Sequence, residues 1–251
     1  MTREMENPPN APFPARKRRV RASGGSEKGK AIPFYGRRKG KKLRSFQSNL
    51  MEELLPLVRL DLSGPLDLKA AFGASHRDIW LEIGFGGGEH LIQEAVRFPQ
   101  TGFIGCEPFV NGLAKALAGM AGADLGNVRV HGGEAQAVIA ALPPESLSGV
   151  YLLYPDPWPK RRHRKRRFVS DETLNALARV MRKGAELRFA TDIDDYAGWT
   201  LARILRNPHF EWRAQGADDW RKPWDGWSST RYEEKARREG RVSAYMTFVK
   251  V

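Results

Sequence analysis

The sequence contains very little cysteine and no long apolar run. Of its 251 residues only Cys106 is a cysteine, so no disulfide forms within the chain and nothing indicates a cysteine-ligated metal. No run of 18 apolar residues occurs, so we expect no membrane-spanning helix. The N-terminal stretch has no apolar core followed by small residues at a cleavage site, so we expect no secretory signal. These absences favour a cytoplasmic protein.

Acidic residues are scarce at the N-terminus. Residues 1–50 hold 14 Lys/Arg and 3 Asp/Glu, whereas the other 201 residues hold 28 and 26. Residues 1–42 are also rich in Pro, Gly and Ser, so we predict a disordered basic tail there and one folded domain over 43–251. The net charge of +13 indicates a polyanionic partner, usually a nucleic acid. The tail is either an electrostatic arm for that partner or a passive solubilising segment.

From residue 78 onwards the sequence alternates between strand and helix patterns. The predicted strands are 78–86, 102–107, 127–131, 148–154, 185–191, 209–214 and 243–251. The predicted helices are 89–98, 111–121, 134–142, 170–184 and 194–207. This alternation predicts an α/β fold with a doubly wound, mainly parallel seven-stranded sheet. Ligands in such folds bind at the carboxyl ends of the strands, so these ends are the candidate sites.

The first strand ends in the glycine-rich stretch "LEIGFGGGEH" (81–90). Glycine lets the backbone turn sharply and lets a ligand approach closely. A dinucleotide-binding G-x-G-x-x-G pattern requires glycine at position 89, where this chain has Glu89, so a dehydrogenase is excluded. The spacing of Glu82, Gly84 and Gly86 instead resembles the first motif of S-adenosylmethionine-dependent methyltransferases. That resemblance implies that Glu82 faces the amino-acid end of the cofactor.

Acids also follow the second and third strands. Glu107 ends the second strand, where a carboxylate can accept hydrogen bonds from a ribose diol; it could also be merely solvated. Glu134 follows the third strand. Its carboxylate could accept a hydrogen bond from an adenine amino group or simply favour the first turn of a helix. Beside the glycine loop, both acids become candidate cofactor ligands.

The fourth strand runs into "PDPWPKRRHRKRR" (155–167). Three prolines stiffen this loop and remove backbone donors around Asp156. A rigid carboxylate beside the flat face of Trp158 suits a planar base that donates hydrogen bonds. The basic run from Lys160 to Arg167 is positioned to contact phosphates, although such runs are often only solvated.

These residues closely resemble the bacterial tRNA (guanine-N7-)-methyltransferases, which have a Rossmann-like methyltransferase fold. "FATDIDDYAGW" (189–199) and "TRYEEKARREGR" (230–241) resemble further segments of that family, and the resemblance covers about residues 78–251. It implies methyl transfer from S-adenosylmethionine to N7 of guanine 46 in the tRNA variable loop, with Asp156 as catalytic and cofactor-binding residue. It also implies substrate contacts at Lys160, Asp192, Thr230, Arg231, Tyr232 and Glu233.

Two other functions are considered. Methylation of an exocyclic amine favours a [DN]-P-P-[FYW] pattern, but a single proline separates Asp156 from Trp158. A catalytically silent RNA-binding protein would not need the acids at all four strand ends.

Thr230 and Glu233 could also form a helix capping box, which is compatible with binding. The tryptophans at 212, 220, 224 and 227 are expected to pack in the core or a lid. The histidines show no metal-ligand spacing, so we predict no metal, and no obligate protein partner is evident.

Overall fold

The computed structural model describes residues 36–74 and 76–251. Most of the predicted disordered tail, residues 1–35, lies outside the described residues, so the disorder of that tail and its boundary at residue 42 stay predictions. Among the described residues, no helix is long and apolar enough to cross a membrane.

Seven strands and ten α-helices make up the described chain. The strands are β1 (Asp78–Ile83), β2 (Thr101–Cys106), β3 (Val128–His131), β4 (Leu147–Leu153), β5 (Met181–Thr191), β6 (Phe210–Trp212) and β7 (Ala244–Lys250). The helices are α1 (Ser45–Glu53), α2 (Leu55–Val58), α3 (Leu68–Phe72), α4 (Glu89–Arg97), α5 (Val110–Gly122), α6 (Ala135–Ala141), α7 (Asp171–Val180), α8 (Asp194–Ile204), α9 (Asp218–Arg221) and α10 (Arg231–Arg238). A short 3-10 helix, Arg161–Arg166, follows β4.

The strands form one sheet in the order β3-β2-β1-β4-β5-β7-β6. The first five strands pair in parallel, whereas β7 runs antiparallel to both β5 and β6. The strand order reverses between β1 and β4, which are direct neighbours. In open α/β sheets a ligand crevice lies at such a reversal, outside the carboxyl ends of the strands. The predicted seven-stranded, mainly parallel sheet is confirmed.

Helices cover both faces of the sheet. Side chains alternate between these faces along each strand, so neighbouring residues pack against different helices. On β2, Phe103 packs with the apolar side chains of α4 and α5, while the adjacent Ile104 packs with those of α6, α7 and α8. Both side chains are buried. The sheet is therefore doubly wound, and its central strands are inaccessible except at their ends.

The predicted helix over 170–184 and the strand that follows it differ most from the observed elements, while the other predicted elements differ by up to three residues. The helix expected over 170–184 ends at Val180, and Met181 already belongs to β5. Met181 pairs with Leu147 across a register shift, and both side chains are fully buried in the core. Burial in the sheet therefore outweighs the helical pattern of the preceding residues. Helices α1, α2, α3 and α9 have no counterpart among the predicted elements, and α10 was anticipated only as a possible helix capped by Thr230.

The chain before α1 contacts the N-terminal end of α5. The Arg38 carbonyl accepts a hydrogen bond from the Val110 amide at 2.9 Å. The Asn111 side chain accepts from the Gly40 amide at 2.6 Å and donates to the Lys41 carbonyl at 2.7 Å. These contacts favour a start of the folded domain a few residues before the predicted boundary.

Candidate active site

The predicted site residues lie at one edge of the sheet, outside the carboxyl ends of the parallel strands. This edge collects side chains that are far apart in sequence, because parallel strands all end on the same side. Glu82 lies near the end of β1 itself, and the other acids follow β2, β3, β4 and β5 in turn. The segment that begins at Thr230 opens α10 beside them. The members are Glu82, Gly84, Gly86, Glu107, Glu134, Asp156, Lys160, Asp192, Thr230, Arg231, Tyr232 and Glu233.

The glycine loop between β1 and α4 combines left-handed backbone conformations with open space at Gly84. Gly84 and Gly86 have φ angles of +74° and +59°, a conformation that residues with a side chain rarely adopt. A Cβ atom at Gly84 would meet nothing within 4 Å, whereas one at Gly86 would lie 2.9 Å from Arg231 Nη2. The space in front of Gly84 is therefore open, and α10 closes over Gly86.

Glu107, directly after β2, is buried beside this loop. Its two carboxylate oxygens accept hydrogen bonds from the Gly86 amide at 2.7 Å and the Phe109 amide at 2.8 Å. Burial raises the pKa of Glu107 above its ordinary value, although these two amides and Arg231 oppose the rise and the Asp156 charge adds to it. The two amides fix the carboxylate in one orientation, and each oxygen keeps a second lone pair for a hydroxyl donor.

Glu82 is buried near the end of β1 and lies against a residue that the sequence pattern did not identify. Its Oε2 is 2.8 Å from His90 Nδ1, and both side chains are less than a tenth exposed. The His90 ring packs edge-on against Tyr151, with 4.5 Å between ring centroids. The sequence signal that could have identified His90 is its position in the first turn after the glycine loop, eight residues after Glu82.

Asp156 lies in a loop held in an unusual conformation. Tyr154 and Trp158 have φ angles of +48° and +41°, which non-glycine residues adopt only where the surrounding structure imposes it. The Tyr154 hydroxyl donates to Ser243 Oγ at 2.9 Å, and the Arg166 guanidinium lies 4.9 Å from the Trp158 ring centroid. Asp156 itself reaches solvent, yet the protein atoms around it desolvate its carboxyl group and raise its pKa.

Arg167, at the end of the basic run, is a structural residue and not a phosphate contact. It is 4% exposed. Its guanidinium donates to the Pro157 carbonyl at 2.8 Å and also pairs with the Asp195 carboxylate. The same group lies 4.8 Å from the Tyr196 ring centroid. The prediction that the whole run from residue 160 to 167 faces phosphates is therefore wrong at its last position, because Arg167 ties the loop of Asp156 to α8.

Replacing Arg167 with Met should loosen this loop. We expect the free energy of unfolding to fall by about 1–3 kcal/mol, since the Pro157 carbonyl and Asp195 lose a charged donor. Thermal unfolding measures this effect. Arg161→Met is the matched control, because Arg161 is exposed in the same run and its loss should not lower the melting temperature.

The segment at the start of α10 is anchored by its acid. Thr230 caps the helix, its side chain accepting from the Glu233 amide at 3.2 Å, as predicted. The buried Glu233 carboxylate, however, accepts from Trp227 Nε1 and from the Tyr245 hydroxyl, each at 2.6 Å. It also accepts from Arg237 at 3.0 Å. In a capping box Glu233 would accept from the Thr230 amide. Its partners are different, so the prediction that Glu233 completes a capping box is wrong.

The other predicted substrate residues differ in their surroundings. Arg231 and Tyr232 are exposed, with the guanidinium 3.1 Å from the tyrosine hydroxyl, and both lie against Gly86. Asp192, after β5, accepts from Arg241 Nε at 2.6 Å. Lys160 is exposed at the start of the 3-10 helix. Arg231 and Tyr232 therefore lie beside the glycine loop, while Asp192 and Lys160 lie further along the same edge.

Glu134 marks the opposite end of the site, at the N-cap of α6. Its Oε1 lies 3.4 Å from the Arg38 guanidinium, an ion pair whose arginine is 67% exposed. Such an exposed pair contributes little stability and can be exchanged for another donor. Arg38 is a further residue of this edge that the sequence pattern did not identify.

The tryptophans pack as predicted. Trp224 and Trp227 pack around Tyr245, with ring centroids 5.6 and 5.8 Å away, and Trp212 and Trp220 pack against the main core. In residues 36–74 and 76–251, no group of three or more His, Cys, Asp or Glu side chains is arranged to hold a metal ion.

Comparisons with known proteins agree with this arrangement. Residues 76–246 match the family model described as "Putative methyltransferase". A "tRNA (guanine-N(7)-)-methyltransferase" of Brucella anthropi is 54% identical over 219 residues, covering 86% of this chain and 94% of that protein. A protein of the same name from Nitrobacter hamburgensis is 54% identical, covering 86% of this chain and 85% of its own.

A solved structure supports the fold alone. The crystal structure of TrmN from Thermus thermophilus aligns with a TM-score of 0.50 at 13% identity, covering 73% of this chain and 47% of that one. The sequence relatives go further, since more than half of their residues are shared over most of both chains. On that ground this chain belongs to the tRNA (guanine-N7-)-methyltransferase family.

Proposed function

We propose that this protein transfers a methyl group from S-adenosylmethionine to N7 of guanine 46 in the variable loop of tRNA. The observation that carries the proposal is the row of acids at the carboxyl ends of β1 to β4, in a chain 54% identical to a protein named for guanine-N7 methylation of tRNA. The acids suit a cationic cofactor, and the exposed basic residues before and within the 3-10 helix suit an RNA phosphate backbone.

The residues present fit this cofactor. The space in front of Gly84 admits a ligand, and the Glu107 carboxylate is fixed by two amides with free lone pairs toward a ribose diol. In this assignment Glu82 accepts from the amino group of the methionine part, and Glu134 exchanges Arg38 for the adenine amino group. When bound, S-adenosylmethionine supplies an electrophilic methyl group on a positively charged sulfur.

Methylation of guanine N7 requires the base to be positioned and its developing positive charge to be stabilised, and no proton has to be removed from N7. Guanine N7 carries an unprotonated in-plane lone pair, so no general base is needed. The product base is positively charged, and a carboxylate near it stabilises that charge as it develops. We assign this role to Asp156, whose stiffened loop follows β4, the direct neighbour of β1. Lys160, Asp192, Thr230, Arg231, Tyr232 and Glu233 then hold the tRNA or its guanine.

The experiment that tests this function identifies the product. The purified full chain is incubated with unmodified tRNA and methyl-labelled S-adenosylmethionine, and the RNA is digested to nucleosides. Label in 7-methylguanosine, lost when guanine 46 is replaced, supports the proposal. Label in a methylated adenosine or cytidine would overturn the assigned base. Bound tRNA without any label would favour a silent RNA-binding protein.

The basic tail has its own test. If it is an arm for RNA, deleting residues 1–35 should weaken tRNA binding and flatten its salt dependence, since each lost phosphate contact removes about 0.9 from the slope of log K against log salt on a duplex. The deletion keeps the segment that contacts α5. An unchanged slope would identify a passive solubilising tail.

The cytoplasmic location and the absence of an obligate protein partner stay predictions.

A further inference from the structure

Two buried acids of the site are joined by a pair of rings. Glu82, from β1, lies 2.8 Å from His90 Nδ1. The His90 ring lies beside the Trp227 ring, with centroids 5.1 Å apart, and Trp227 Nε1 donates to Glu233 at 2.6 Å. Glu82, His90 and Glu233 are 4%, 6% and 5% exposed. A continuous chain of contacts therefore runs from the cofactor acid to the acid of the substrate segment.

The contacts determine what each ring does. An ionised carboxylate only accepts hydrogen bonds, so His90 Nδ1 carries the proton and orients Glu82 Oε2. The His90 ring is itself held between Tyr151, at 4.5 Å, and Trp227. Trp227 in turn orients one oxygen of Glu233, while Tyr245 binds the other at 2.6 Å. His90 therefore contacts both arrangements, Glu82 directly and Trp227 through its ring.

We propose that His90 is a positioning residue for both halves of the site, holding Glu82 for the cofactor directly and Glu233 for the tRNA through Trp227. This inference rests on the proposed function for what the two acids bind. His90 touches neither reacting group and acts only through its neighbours. The direct contact and the ring contact can be separated by substitution, because asparagine retains a donor near the Nδ1 position but has no ring.

The test compares three variants of the full chain. His90→Phe keeps a ring but loses the donor, so its Kd for S-adenosylhomocysteine, measured by calorimetry, should rise about tenfold. His90→Asn should keep that Kd within about threefold, yet raise KM for tRNA about three- to tenfold because Trp227 loses its ring neighbour. Trp227→Phe should likewise keep the Kd and raise KM for tRNA about tenfold, since Glu233 loses a donor.

A purely structural role predicts a different pattern. In that case the three variants would lower the melting temperature and the active fraction without separating cofactor affinity from KM. Ile204→Val, which deletes a buried methyl group at the far end of α8, is the control for such general destabilisation. An unchanged Kd in a folded His90→Phe would overturn the proposal. If the wild-type chain produced no 7-methylguanosine, the proposed function would fail, while the Kd comparison would still test the contact between His90 and Glu82.

Discussion

Replacing Asp156 with Ala should lower kcat/KM for methyl transfer by about 100- to 1000-fold, the loss typical when a group that stabilises developing charge is removed. Asp156 suits that role because it reaches solvent at the edge of the sheet while its surroundings raise its pKa through desolvation. A charge in such a partly desolvated position acts strongly on a nearby developing cation. The tRNA Kd should change far less, since phosphate contacts dominate RNA affinity.

Two comparisons make this prediction specific. Asp156→Asn keeps the shape and one acceptor oxygen, so it should fall between wild type and Ala if both charge and hydrogen bonding contribute. Asp78→Asn is the matched control, because the same change at the opposite end of β1 should leave methyl transfer nearly unchanged. Equal loss of tRNA binding and of transfer in Asp156→Ala would contradict a catalytic role.

The dependence on pH provides a further test of Asp156. A carboxyl group with a raised pKa takes up its proton at a higher pH than an ordinary aspartate, so activity should begin to fall earlier as the pH is lowered. The pKa of Glu107 is raised as well, so the acidic limb of the wild-type profile reports both groups. Asp156→Asn should retain only the part due to Glu107. An identical profile in both proteins would mean that Asp156 does not titrate in this range.

The fold was largely predictable from local patterns. Each strand is a short apolar run bounded by turn-forming residues, and most helices have apolar residues at helical spacing. The seven strands agree with the structure to within a few residues, except where β5 begins at Met181 rather than at residue 185. That early start depends on pairing with Leu147, a contact between segments more than thirty residues apart. Local patterns carry no information about such pairings, and tertiary contacts decide them.

The residue pattern alone identified site residues only at strand ends. Glu107, Glu134 and Asp156 could be identified because the carboxyl end of a parallel strand is a defined place in an α/β fold. The role of Glu82 and the segment from Thr230 to Glu233 were predicted by resemblance to known families.

Arg167 could not be identified, since within a run of seven similar charges nothing distinguishes the one that is buried against the Pro157 carbonyl. His90 likewise depends on the approach of Trp227, which is 137 positions further along the chain. Partners of this kind emerge only from the three-dimensional contacts.

Replacing Glu107 with Gln should raise the Kd for S-adenosylmethionine about 10- to 100-fold, measured by calorimetry. The Glu107 carboxylate accepts from the Gly86 and Phe109 amides through different oxygens. A glutamine has only one oxygen, so its amide NH2 must face one of these backbone donors. The side chain should therefore turn away or displace the glycine loop, and the ribose diol would lose its acceptor in either case.

The charge and geometry of Glu107 can be separated by a second substitution. Glu107→Asp keeps the charge but shortens the side chain by one methylene, so its carboxylate should no longer reach both amides and the Kd should also rise. Glu52→Gln, an exposed change on α1, should leave the Kd unchanged. If Glu107→Gln bound the cofactor as tightly as wild type, Glu107 would not be a cofactor ligand. Equal weakening in Gln and Asp would instead show that the paired amide contacts, more than the negative charge, make Glu107 a cofactor ligand.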